Sequence, residues 1–222
     1  MADKKHIYLM PGLAASPRIF EYIEIDPLKT ELHYLEWIPP AHEKEPVEQY
    51  AQKYVELIQH SDPILIGVSF GGILVQEISR MIKVEKVIII SSIKGKQEMP
   101  KRLRFLKSLR VYKLFPVRRL SKIDDFTRFS YHPHLKKKGE LYNKYLGVRN
   151  EKYLNWSLRA VLHWENKSSV SDLIHIHGTR DEIFPIKYIE NCIPVEGGTH
   201  AMILIKAKKI NQIINRLLQN DY

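Results

Sequence analysis

Ser69 stands in the run Gly67-Val68-Ser69-Phe70-Gly71-Gly72, directly after the apolar stretch Pro63-Ile64-Leu65-Ile66 and directly before a segment of helical periodicity. A serine on a tight strand-to-helix turn has a defined chemical use. Small residues two positions to either side relieve crowding, and the hydroxyl is thrust out above the sheet as a nucleophile. The helix that follows turns its first amides to the same place, so the N–H of Phe70 can donate to an oxyanion forming there. A glycine-rich structural turn is the plainer reading, and the flanking strand and helix favour the nucleophile. His175 and His177 alternate on a β pattern, a spacing that can hold zinc. No third ligand is near them in sequence, there is no H-E-x-x-H, and the single cysteine, Cys192, is remote. Packing beside the sheet is therefore their expected role, and neither a metal site nor a cofactor is expected. No P-loop and no G-x-G-x-x-G occurs.

The elements that must position Ser69 read as an α/β alternation. Apolar runs at His6 to Met10, Glu31 to Trp37, Pro63 to Val68, Lys86 to Ser91, Leu173 to His177 and Cys192 to Val195 predict strands of a parallel sheet buried on both faces. Helical spacing predicts helices at Val47 to Gln59, Gly71 to Ile82 and Ala201 to Gln219. Between Ser92 and Asp172 the strand rhythm stops, and Lys101 to Phe115 reads as an amphipathic helix.

The 222 residues, 44% hydrophobic and 27% charged, suit one globular domain with its own core. The net charge of +10 is concentrated. Lys94 to Lys138 holds fifteen Lys or Arg against three acids, a net of +12, and leaves the remainder at −2. A lone cysteine cannot form an internal bridge, no signal-peptide core is visible, and no run approaches the roughly 20 apolar residues of a membrane span. A cytoplasmic protein is expected.

Taken together these features resemble the α/β-hydrolase superfamily, over nearly the whole chain apart from the basic insert. The resemblance implies that the serine's partners follow in the order acid, then histidine, each on a loop after a later strand. Asp181, in Asp172-Leu173-Ile174-His175-Ile176-His177-Gly178-Thr179-Arg180-Asp181, looks like the acid, with Glu182 its nearest competitor. The plain alternative for Asp181 is to cap a helix near Pro185. His200, in Glu196-Gly197-Gly198-Thr199-His200-Ala201, looks like the base. The loop after the first strand, Met10-Pro11-Gly12-Leu13, matches the second oxyanion position in part. Pro11 replaces the family's usual histidine, while the Leu13 amide is backbone and is retained. The family's first two strands have no counterpart, so the expected fold is a trimmed α/β-hydrolase of about six mostly parallel strands with helices on both faces and a helical cap. Residues 1–93 and 171–222 would form the core and residues 94–170 the basic cap.

The resemblance further implies a serine hydrolase of small esters or thioesters, working through Ser69, His200 and Asp181 and an acyl-enzyme. Backbone amides of Leu13 and Phe70 would form the oxyanion hole. A binding protein on the same fold is the alternative, with the cap as its working surface. Aromatics of the insert (Phe105, Tyr112, Phe115, Tyr153, Trp156, Trp164) either line an acyl pocket or build the cap's own small core. Its charge is a solvated face, or attracts an anionic substrate such as an acyl-CoA thioester, or meets an anionic membrane surface. Nucleic acid is not expected, because no binding motif accompanies the basic residues.

Overall fold

The structure, a computed structural model, describes residues 4–109, 144–166 and 168–219. Its centre is a six-stranded sheet in the order β2-β1-β3-β4-β5-β6, formed by β1 (Lys5–Met10), β2 (Thr30–Tyr34), β3 (Ile64–Val68), β4 (Lys86–Ile90), β5 (Leu173–Gly178) and β6 (Ile193–Val195). Every pairing is parallel.

The apolar strand residues divide between the two faces by parity. Leu65, Val87 and Ile89 join one core with α1 (Val47–Val55), α2 (Phe70–Ile78) and α4 (Glu151–His163). Ile64, Ile66, Val68, Ile88 and Ile90 join a second core with α5 (Met202–Ile205), α6 (Ala207–Gln219) and the 3-10 turn Pro17–Phe20. Helices on both faces explain why β3 and β4 read as unbroken apolar runs rather than as alternation.

Several predicted boundaries move, each for a local reason. β2 ends at Tyr34 rather than Trp37, because Tyr34 pairs with Leu9 and β1 ends one residue later; the last bond of the ladder is Leu35 N–H to Leu9 O at 3.0 Å. The final helix divides at Lys206, whose φ of −124° leaves the helical region, so α5 and α6 replace one continuous segment. Lys101–Leu109 forms a helix, α3. The remainder of that predicted segment, with Tyr112 and Phe115, lies outside the described residues.

The described end of the insert packs against the sheet's helices. Tyr153, Trp156 and Trp164 are buried in the core shared with α1 and α2. Trp156 Nε1–H donates to Glu45 O at 2.9 Å, Trp164 Nε1–H donates to Glu77 Oε1 at 2.6 Å, and the Tyr153 hydroxyl accepts from Ala14 N–H at 3.2 Å. These rings pack against α1 and α2, and Trp156 and Trp164 also border a cleft beside the start of α1; Phe105 is exposed. No helix among the described residues is long and apolar enough to cross a membrane.

Candidate active site

β3 delivers Ser69 to the end of the sheet that carries the C-termini of its parallel strands. Ser69 has φ 53° and ψ −117°, a conformation that costs an L-residue of order 1–3 kcal/mol and persists only where surroundings impose it. They do. Ser69 N–H donates to Ile90 O at 2.9 Å, Gly72 N–H donates to Ser69 O at 2.9 Å, and the Ser92 hydroxyl donates to the same carbonyl at 2.7 Å. Side chains at Gly67 and Gly71 are excluded sterically. A Cβ on Gly67 would strike the backbone of Gly71, and one on Gly71 would strike the carbonyl oxygens of Met10 and Pro11.

The other two predicted residues arrive from loops after β5 and β6. These loops are tied together by Arg180 N–H to Gly198 O at 2.8 Å and Gly197 N–H to Thr179 Oγ1 at 2.9 Å. As a result His200 Nε2 lies 2.9 Å from Ser69 Oγ, and His200 Nδ1 lies 2.8 Å from Asp181 Oδ2. Asp181 Oδ1 accepts from the N–H groups of Ile183 and Phe184 at 2.8 and 2.9 Å. One carboxylate thus fills both expected roles, capping the following turn with one oxygen and holding the imidazole with the other. Glu182 is exposed, and the contact to His200 is made by Asp181. The Asp181 side chain is fully buried while Ser69 and His200 are partly exposed, so the Ser69–His200 end of this hydrogen-bonded chain is reachable from solvent.

Leu13 sits half-buried in the loop after β1, beside Gly12, where an added Cβ would be 3.5 Å from Ser69 Cβ. That loop is fixed by Trp37 Nε1–H donating to Gly12 O at 2.8 Å and by the Tyr153 hydroxyl on Ala14 N–H. Phe70 opens α2, buried, with its ring stacked on Trp37 at 4.9 Å.

His175 and His177 bond to each other and to the backbone. His175 Nε2 contacts His177 Nδ1 at 3.0 Å, and His177 Nε2 contacts Phe184 O at 2.8 Å. A carbonyl can only accept, so His177 donates from Nε2, and its Nδ1 then accepts from His175 Nε2–H. Both rings are neutral. Burial pushes His177 below its ordinary range and, with His177 adjacent, pushes His175 down to about 2. His177 therefore anchors the turn that bears Asp181. The sequence offered that pair only as an H-x-H pattern and gave no sign of the Ser92 brace. A cleft of about 300 Å³ between the start of α1 and α4 is lined by none of the three site residues.

No family model matches the sequence, and no curated protein matches it. Solved structures do. A bromoperoxidase from Bacillus anthracis is 18% identical, with 98% of this chain covering 93% of that one at a TM-score of 0.71. A hydrolase from Pseudomonas aeruginosa PA01 is 13% identical, with 99% covering 91% at 0.72, and an esterase from Exiguobacterium antarcticum is 14% identical, with 99% covering 94% at 0.68. Likeness at this level of identity, together with the six-stranded parallel sheet and the helices on its two faces, establishes that the chain has the α/β-hydrolase fold.

Proposed function

We infer that the protein is a serine hydrolase of small carboxylic esters or thioesters. The observation that carries this reading is the continuous chain Ser69 Oγ–His200 Nε2, His200 Nδ1–Asp181 Oδ2, at 2.9 and 2.8 Å. With Nδ1–H donating to Asp181, neutral His200 presents a lone pair at Nε2. It takes the Ser69 proton as Oγ attacks the acyl carbon, and the imidazolium is stabilised by the buried carboxylate. The amides of Leu13 and Phe70 receive the oxyanion; one such donor contributes roughly 2.7–4 kcal/mol. The protonated histidine then gives its proton to the leaving alcohol or thiol. Water, activated by the same ring, releases the acid.

The basic stretch Lys94 to Lys138 separates the serine and acid segments in sequence, and its residues 110–138 lie outside the described set. Its charge favours anionic substrates, acyl-CoA thioesters among them, by raising their concentration at the site. Turnover of such substrates then falls with rising salt, while turnover of neutral p-nitrophenyl esters does not. A fluorophosphonate probe tests the core of the proposal. Labelling of wild type and not of folded Ser69→Ala supports it. Folded wild type that resists the probe and hydrolyses neither substrate series refutes it and leaves a binding protein on this fold.

A further inference from the structure

Three histidines far apart in sequence meet near the outer strand of the sheet, close to the start of β1, whereas Ser69 follows the end of β3. In the parallel register His6 pairs with Glu31 and Tyr8 with His33, so all four side chains leave the sheet on one face. His60, from the loop between α1 and β3, closes over them. Each imidazole offers one ring nitrogen, and the three nitrogens lie within 4.8 Å of one another. His6 Nδ1 and His33 Nε2 are 3.0 Å apart, and the Glu31 carboxylate oxygens lie 4.0 and 3.9 Å from those two atoms.

We propose that His6, His33 and His60, with Glu31 as oxygen donor, form a binding site for a divalent transition metal of the zinc class. Three neutral imidazoles and one carboxylate are a donor set suited to tetrahedral Zn²⁺. At Zn–N distances of about 2.0–2.1 Å, tetrahedral ligand nitrogens stand about 3.3–3.4 Å apart. The 3.0 Å pair has only to separate slightly, and the third nitrogen to draw in.

Tyr8 organises the group. Its ring stacks on His33 at 4.6 Å, and its hydroxyl oxygen lies 2.7 Å from His60 Nδ1. When that oxygen accepts from Nδ1–H, His60 keeps its lone pair on Nε2, which is the tautomer a metal requires. One adjustment is required. The rings of His6 and His60 are stacked 3.4 Å apart at 13°, and a metal lies in the plane of each ring it binds, so they must tilt apart. His60 belongs to no helix or strand, and Glu31 is exposed, so both can move.

Chelator-treated full-length protein titrated with Co²⁺ and then Zn²⁺ tests the proposal. One equivalent of Co²⁺ is expected, with the intense visible band of tetrahedral coordination, displaced by Zn²⁺. His33→Gln and His60→Gln each weaken the Kd by at least about 100-fold, and Tyr8→Phe by about 10-fold, as loss of a ligand and of its orienting partner should. His42→Gln, in an exposed loop elsewhere, binds like wild type. Should His33→Gln fold poorly by circular dichroism, His60→Gln carries the comparison, since its site is in a loop. The proposal is overturned if wild type takes up no stoichiometric Co²⁺, or if both glutamine variants bind as wild type does, or if His42→Gln loses as much as they do.

Discussion

Toward the C-terminal ends of the strands, His200 and His177 each have one ring nitrogen held by an acceptor-only partner, the Asp181 carboxylate for one and Phe184 O for the other. Across β1 and β2, His6 and His33 instead face each other nitrogen to nitrogen, with one carboxylate at about hydrogen-bond distance plus an ångström. The same side chain is committed to one tautomer in the first region and uncommitted in the second. The contrast shows that an imidazole's task is set by the neighbour on its far nitrogen. In the proposed roles, the buried carboxylate orients His200 as a base toward serine and the carbonyl fixes His177 as a structural donor, whereas His6 and His33 would turn lone pairs to a cation.

The sharpest way to break the comparison is at Ser69. Ser69→Ala is expected to lower kcat for ester hydrolysis by about 10⁶-fold with the fold intact, because the whole catalytic unit fails when its nucleophile is removed. Next is Asp181→Asn, expected to cost about 10⁴-fold in kcat by releasing the His200 tautomer. Asparagine keeps a carbonyl oxygen for the Ile183 and Phe184 amides, so an unchanged melting temperature separates the loss of tautomer control from loss of the turn. A comparable loss in Glu182→Gln would instead assign the acid to Glu182.

A smaller effect tests the crowding around the serine. Gly71→Ala places a methyl against the Met10 and Pro11 carbonyls and is expected to cost about 1–3 kcal/mol in urea denaturation. The last prediction concerns the buried pair. His175 has a folded pKa lowered to about 2 against about 6.5 unfolded, so below pH 6.5 the unfolded chain binds the extra proton and stability falls with falling pH. Between pH 6.5 and pH 5 wild type should lose about 1–2 kcal/mol, and His175→Gln should flatten that limb.

The convergence of Ser69, Asp181 and His200 was legible in the sequence because the three residues sit on turns marked by their flanking strands and glycines. Gly67 and Gly71 announce the elbow, and Gly197-Gly198 precede His200. The histidine trio was not legible, since positions 6, 33 and 60 share no local motif. Only the β1–β2 register and the path of the chain after α1 bring them together. The packing of Tyr153, Trp156 and Trp164 against α1 and α2 was not legible either, since the sequence names these residues as aromatic without indicating which surface receives them.

The outer strands differ in a way that bears on self-association. β6 has three residues, one of them Pro194, which lacks an N–H, so this margin is a poor template for an incoming backbone. β2 has five residues and no proline. Any extension of the sheet by another chain is therefore biased to one side of the molecule, and such an aggregate would grow through β2, where a charged substitution at the exposed Tyr34 would be the natural block.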